Sequence, residues 1–162
     1  MDGHPPRRHP VGGGRVSFDM GPSEIAVALE RSDGTWTGWV QQLADRPRMD
    51  TARLRRAQRH LDRQHRAGSP GCFSPDGTHK PGRCDWQCSR SAEHTKTRVA
   101  ELHRRLAGHR TTLHGGLANG LFAHGADIAC EKLDYLAWQQ NFPRSVRDRA
   151  PGMLVEMIRR EG

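Results

Sequence analysis

The sequence has no apolar run approaching the roughly 18 residues that a membrane-spanning helix requires. It also has no secretory signal with a charged start, an apolar middle and a small-residue cleavage site. We therefore expect a cytoplasmic protein with no membrane partner. Cysteine is scarce, with four residues in the whole chain. Because a reducing compartment disfavours structural disulfides, these cysteines are expected as thiols.

The sequence also lacks a Gly-rich phosphate loop of the Walker type and a Gly-x-Ser-x-Gly nucleophile elbow. Apolar residues make up only 34% of the chain and charged residues 27%, which is the polar edge of globular composition. A chain of 162 residues with this composition is expected to form one domain, with a modest core and some loosely packed segments.

Positive charge is what the sequence has in excess. Its 26 Lys and Arg residues against 18 Asp and Glu residues give a formal net charge of +8. The expected partner is a polyanion, above all a nucleic acid, because each basic side chain that neutralises a phosphate releases a condensed counterion. Only three of the basic residues are Lys, and 23 are Arg. This bias favours bidentate phosphate contacts, although codon usage in a GC-rich genome would produce it equally well.

The composition and the pattern of apolar residues change at residue 15. Residues 1–14 are rich in Pro, Gly, His and Arg and are interpreted as a disordered basic arm. From Arg15 onward, apolar and polar residues alternate through RVSFDMGPSEIAVAL, which predicts a β-hairpin. A third antiparallel strand is predicted for TWTGWV, after the turn Ser32-Asp33-Gly34.

The middle of the chain has helical periodicity in two segments. Residues 50–66 predict one helix and residues 91–124 predict another, and together they are expected to form a helical hairpin. Residues 68–91 between them are rich in Gly, Pro and Ser and are interpreted as a long flexible loop. Four glycines weaken the second helix by roughly 1 kcal/mol each and allow a break near Gly115.

Two acidic residues stand out because they lie in or beside apolar strands. Asp19 falls within the first predicted strand. Glu131 ends a short strand predicted from DIACEKLDY, ahead of a last helix expected to begin near Pro151. Each residue alone is more simply a surface-facing strand residue. Metal-dependent cleavage of phosphodiesters, however, needs converging carboxylates, because Mg²⁺ prefers oxygen ligands.

Four segments, in order, resemble the TnpB (OrfB) family of transposon-encoded, RNA-guided DNA endonucleases. RVSFDMGPSEIAVAL is similar to the family's first RuvC-like motif, and DIACEKLDYLAW is similar to the second, in which a strand ends in the catalytic Glu. Residues 53–66 and 95–124 resemble the helical insertion between those motifs. NFPRSVRDRAPGMLVEMIRRE resembles the helix after the second motif, so the likeness covers roughly residues 15–161.

The resemblance implies an α/β, RNase H-like (RuvC-like) fold over residues 15–162: a mixed sheet flanked by helices, with a helical-hairpin insertion at about residues 50–124. It implies that Asp19 and Glu131 are catalytic residues that bind Mg²⁺ and position water for hydrolysis of target DNA. It also implies DNA and a guide RNA as partners. The residues expected to contact their backbones are Arg53, Arg55, Arg56, Arg59 and Arg63.

The chain also departs from the family's pattern. The resemblance implies a fragment without the N-terminal region, the zinc-binding region and the third RuvC-like motif with its catalytic Asp. The fold is then expected to be incomplete at the C-terminus and the fragment inactive alone. Ser17 replaces a common Gly, and Lys132 replaces a common acidic or amide residue. The alternative function is a non-catalytic remnant that binds RNA or DNA backbone through its Arg-rich helices. The oligomeric state is left open.

A zinc site in the loop is not expected. The gap between Cys84 and Cys88 is not a paired Cys-x-x-Cys arrangement, although Cys72 and histidines lie nearby in the sequence. Cys130 lies in a predicted strand and is interpreted as a small buried hydrophobe. The histidines of the basic helices are expected to face solvent or phosphate; they are His60, His65, His103, His109 and His114.

Overall fold

The computed structural model describes residues 11–44, 48–132 and 134–161. In that part of the chain, four strands and five α-helices form a mixed α/β structure. The elements in chain order are β1 (Gly14–Met20), β2 (Glu24–Glu30), β3 (Trp36–Gln42), α1 (Arg48–Gly68), α2 (Arg90–His124), β4 (Gly125–Cys130), α3 (Tyr135–Asn141), α4 (Pro143–Arg149) and α5 (Pro151–Glu161). They divide into a sheet unit, residues 1–46 with 109–162, and a helical unit, residues 47–108.

The sheet has the strand order β3-β2-β1-β4. The first three strands are consecutive and antiparallel, as the alternating pattern predicts. The turn between β2 and β3 is closed by Asp33, whose carboxylate accepts a hydrogen bond from the Thr35 backbone N–H at 2.9 Å. β4 pairs with β1 in parallel, so the short strand predicted before Glu131 is also confirmed.

Alternation along the strands determines which side chains enter the core of the sheet unit. Val16 and Phe18 of β1 are buried on one face because successive residues of a strand point to opposite sides. The last part of α2, together with α5, packs on this face, and α5 begins at Pro151 as predicted. The residues that these helices bury there are Leu117, Ala118, Leu121, Leu154 and Val155.

The helical unit consists of α1, the first part of α2 and the loop between them. Leu54 and Ala57 of α1 pack against Leu102 and Leu106 of α2. These contacts form the hairpin that the helical periodicity predicts. α1 spans Arg48–Gly68 and therefore includes the predicted residues 50–66.

The loop between α1 and α2 is largely irregular, as predicted, but specific contacts hold it together. A turn at Asp76-Gly77 folds the loop back, and Gly77 has a φ of 81°, which favours glycine. Cys72 and Cys84 thereby come together as a disulfide, with their Cα atoms 5.8 Å apart. The expectation of a thiol at every cysteine is therefore wrong for this pair, whereas Cys88 and Cys130 are free.

Three local predictions are corrected by the structure. α2 is unbroken at Gly115, because burial of the leucines beyond it outweighs the weakening by glycine. Residues 12–14 belong to the fold: the Gly12 backbone N–H donates to the Phe122 carbonyl at 3.0 Å, and β1 begins at residue 14. The rest of the predicted arm, residues 1–10, lies outside the described residues. Cys130 ends β4 and is exposed, not buried.

Candidate functional site

Asp19 lies on the face of β1 that points away from the core. Its strand neighbours Phe18 and Met20 are buried, so Asp19 projects from the opposite, open face and is exposed. On β2, the residue paired with Asp19 is Ala26. The interpretation of Asp19 as a carboxylate within an apolar strand is therefore refined, because the strand is apolar on one face only.

Glu131 is the first residue after β4, and the pairing of β4 with β1 brings it beside Asp19. Phe18 pairs with Cys130 in the parallel ladder, so the next step of the register places Glu131 next to Asp19. The two carboxylates therefore lie at the C-terminal ends of adjacent parallel strands. The structure brings together the two acidic residues that the sequence singles out, although they are far apart in the chain.

The two carboxyl groups interact directly. A hydrogen bond with Asp19, together with the repulsion between the two negative charges, raises the pKa of Glu131 above its ordinary value of 4.5. The proximity of Asp19 therefore favours the protonated form of Glu131 relative to an isolated glutamate. Carboxylates in such contact share a proton or exchange it for a cation.

An open groove lies along the sheet beside the two carboxylates. The side chains on its floor are small and occupy matching positions on neighbouring strands; they are Ser17, Ala26, Ala28 and Ala129. The groove has a volume of about 450 Å³. Because these side chains are small, the groove leaves both Asp19 and Glu131 exposed to solvent.

The donor atoms of the Asp19 and Glu131 pair fit a divalent cation. Carboxylate oxygens are ligands that Mg²⁺ prefers, and a cation would offset the repulsion between the two groups. Among the residues that the structure describes, no group of three or more His, Cys, Asp and Glu side chains is placed to hold a metal ion. If a cation bound here, the pair would therefore provide only part of its coordination shell.

The loop cysteines are engaged in other contacts. Cys72 and Cys84 are bonded to each other. A hydrogen bond with Glu93 raises the pKa of the Cys88 thiol. In this oxidised state Cys88 is the thiol that the loop retains, and the expectation that the chain binds no zinc stays a prediction.

The five arginines predicted to contact nucleic acid are all exposed on α1, but they form two sets. Arg53, Arg56 and Arg63 line a groove of about 370 Å³ in the helical unit, whereas Arg55 and Arg59 are not among its lining residues. Helical spacing explains the division, because positions three and four apart share one face of a helix. The other lining residues are Ala57, His60, His94, Thr95 and Arg98.

Two features of these surfaces were not predicted from the sequence. Arg98 and His94 of α2 line the same groove as the α1 arginines, and their spacing of four residues on one helix face was the available signal. His114, expected at solvent or phosphate, is fully buried and donates from Nε2 to the Arg149 carbonyl at 2.6 Å. Its position three residues before Leu117, on the apolar stripe of α2, could have indicated its burial.

No model of a known protein family matches the chain, and no curated protein matches it. Within the described residues, no helix is both long enough and apolar enough to cross a membrane. The observations that bear on function are therefore the geometry of the carboxylate pair and the distribution of charge.

Proposed function

We propose that this chain belongs to a RuvC-like nuclease domain of the TnpB (OrfB) type, in a transposon-associated protein derived from an RNA-guided, Mg²⁺-dependent DNA endonuclease. The observation that carries the proposal is the contact between Asp19 and Glu131 at the ends of adjacent parallel strands. Metal-dependent cleavage of phosphodiesters needs carboxylates that converge in this way. The mixed sheet, with helices packed on its core face, is consistent with the RNase H-like fold that the proposal requires.

In this function, Asp19 and Glu131 would hold Mg²⁺, which polarises a phosphoryl oxygen and lowers the pKa of bound water. The two side chains face a groove with small residues on its floor, which admits a phosphodiester backbone. Two carboxylates provide fewer ligands than a two-metal site requires. Cleavage by this chain alone is therefore expected to be absent or very slow unless a further ligand is supplied.

The distribution of charge favours a second function, nucleic-acid binding without cleavage. Residues 47–108 hold 14 of the 26 Lys and Arg residues but only six of the 18 Asp and Glu residues. The whole formal charge of +8 therefore belongs to the helical unit, and the rest of the chain is neutral. A surface of this kind binds the backbone of RNA or DNA by counterion release, and this binding does not require Asp19 or Glu131. We propose that the protein acts in the cytoplasm.

Isothermal titration with Mg²⁺ tests the nuclease-type proposal directly. The Asp19→Asn, Glu131→Gln double variant should bind Mg²⁺ more than about tenfold more weakly than the unmodified chain. The matched control is the Glu30→Gln, Asp127→Asn variant, since both of these residues pair across from Arg15 at the other end of the sheet. Equal Mg²⁺ affinity in the two variants would overturn the assignment of Asp19 and Glu131 as metal ligands.

A cleavage assay separates the two functions. Single- and double-stranded DNA is incubated with Mg²⁺ and the chain, with and without co-purified RNA. Cleavage that the Asp19→Asn, Glu131→Gln variant loses would mean that the chain holds a complete catalytic site. No cleavage, with nucleic acid still bound by both proteins, would favour the binding function.

A further inference from the structure

The groove in the helical unit has a defined shape because the helices that form it are packed together. Leu54 and Leu102 belong to the buried cluster between α1 and α2. Gln64 donates from Nε2 to Ser91 Oγ at 2.8 Å. The side chain of Ala57, which lines the groove, is small and buried, which leaves the space of about 370 Å³ open between the two helices.

The walls of this groove carry arginine and histidine but no carboxylate. Of the lining arginines, Arg53 forms an ion pair with Asp50, which lies three residues before it in α1, at 3.5 Å. Within the described part of the chain, no acidic side chain lies at ion-pair distance from Arg56, Arg63 or Arg98. Three guanidinium groups from two helices therefore face one concave space without a protein counterion there.

Three arginines of the helical unit that do not line the groove pair with carboxylates on their own helix. Arg66 pairs with Asp62 at 3.0 Å. Arg104 and Arg105 both bind Glu101, at 2.8 and 2.9 Å, and these hydrogen bonds lower the pKa of Glu101 to about 2. Local pairing therefore reduces the positive charge at these three arginines, whereas Arg56, Arg63 and Arg98 keep theirs at the groove.

The length of the groove suits a short run of nucleotides. Arg53 and Arg63 are ten residues apart in α1, which at 1.5 Å per residue corresponds to about 15 Å. Along the axis of a stacked strand, which rises about 3.4 Å per nucleotide, this length matches roughly four nucleotides. The planar guanidinium group donates two parallel N–H hydrogen bonds to phosphate or carboxylate oxygens alike. A phosphodiester backbone suits the groove because its anionic groups repeat along its length, as the arginines recur along α1.

We propose that this groove binds the phosphodiester backbone of a nucleic-acid strand, with Arg56, Arg63 and Arg98 as its main contacts. The inference rests on the nucleic-acid-binding function proposed above, to which it adds a defined site and a span. The proposal predicts that Arg56 and Arg63 contribute more to binding than Arg55 and Arg59. The latter two lie on the same helix and carry the same charge but do not line the groove.

The test is fluorescence anisotropy with a labelled single-stranded RNA of roughly 12 nucleotides, three times the proposed span, and with DNA of the same sequence. The groove variant is Arg56→Gln, Arg63→Gln, and the matched control is Arg55→Gln, Arg59→Gln. Each removes two charges from α1, and circular dichroism verifies that each variant is folded. Affinity is measured between about 50 and 200 mM KCl, so that the salt dependence can be read.

The groove variant should bind at least about tenfold more weakly than the control, because two charge-assisted contacts are lost. Its slope of log affinity against log salt should fall by about 1.4, since each lost contact to a single strand contributes roughly 0.7. Equal losses in both variants would overturn the site, because they would mean that charge alone determines binding. Competition by polyglutamate as effective as by unlabelled oligonucleotide would overturn the nucleic-acid assignment.

Comparing the affinities for RNA and for DNA of the same sequence shows which nucleic acid the groove prefers. Equal affinity supports recognition of the backbone phosphate alone, and tighter binding of RNA supports an added contact to the 2′-hydroxyl. Mg²⁺ titration of the groove variant keeps the inference separate from the nuclease proposal. Its Mg²⁺ affinity should equal that of the unmodified chain, because Asp19 and Glu131 are intact.

Discussion

His114 donates a hydrogen bond from Nε2 to the backbone carbonyl oxygen of Arg149, with the two atoms 2.6 Å apart, and thereby joins the buried face of α2 to the end of α4. The ring is fully buried, and its Nδ1 atom has no hydrogen-bond partner among the described residues. Burial lowers the pKa of His114 below 6.5. Folding therefore favours the neutral form of the ring.

This lowered pKa makes the free energy of unfolding depend on pH. As pH falls below 6.5, the unfolded chain takes up a proton on His114 that the folded chain does not, so stability decreases. We expect a lower urea midpoint at pH 5.5 than at pH 7.5, and a smaller difference in His114→Gln, whose amide keeps a donor but does not titrate. The control His109→Gln, at an exposed position, should keep the full pH dependence. An undiminished pH difference in His114→Gln would contradict this account.

The contact between Asp19 and Glu131 predicts how one carboxyl group responds to the other. Asp19→Asn removes both the charge and the hydrogen bond to a carboxylate that raise the pKa of Glu131, so this pKa should fall toward 4.5. The measurement is a ¹³C NMR titration of the Glu131 carboxyl carbon. Asp127→Asn, on the same face of the sheet, should leave the pKa of Glu131 where it is. If Glu131 titrates identically in all three proteins, the two carboxyl groups are not in contact.

The regular elements could be predicted from the sequence because their signals are periodic and local. Alternation marks β1 to β3, and apolar spacing marks α1 and α2. The pairing of Asp19 with Glu131 is different, since it depends on β4 lying parallel to β1, a long-range contact that no local pattern specifies. The resemblance to RuvC-like motifs implied a mixed sheet in which Asp19 and Glu131 share a metal site, but it did not specify which strands pair.

Predictions failed where burial or bonding depends on a partner distant in the chain. His114 has the polarity of a surface residue, and its hydrogen bond to the Arg149 carbonyl offsets the free-energy cost of burying its ring. The link between Cys72 and Cys84 likewise depends on how the loop folds back, which its composition does not encode. The division of the α1 arginines, in contrast, followed from spacing alone and could have been predicted for Arg53, Arg56 and Arg63.

The disulfide between Cys72 and Cys84 is predicted to stabilise the helical unit. By the chain-entropy account, closing a loop of this size contributes about 3 kcal/mol by restricting the unfolded chain. Guanidinium unfolding should therefore occur at lower denaturant when a reductant is present. Cys72→Ser should have the lower midpoint with or without reductant, whereas Cys88→Ser should respond to reductant as the unmodified chain does. A midpoint that reductant does not change would count against a stabilising disulfide, and in a reducing cytoplasm the bond is expected to open.

A substitution at Leu154 tests whether the packing of α5 stabilises the sheet on the face opposite Asp19 and Glu131. Its side chain is 0% exposed and belongs to the core cluster with Val16 and Leu121. Leu154→Ala should lower the free energy of unfolding by about 2–5 kcal/mol, because it removes buried methyl groups and leaves a cavity. Leu136→Ala makes the same chemical change at a residue that is 72% exposed, and should lower it by less than about 0.5 kcal/mol. Urea unfolding measures both. Similar effects at the two positions would mean that α5 does not pack on the sheet, and the strands that hold Asp19 and Glu131 would then lack this support.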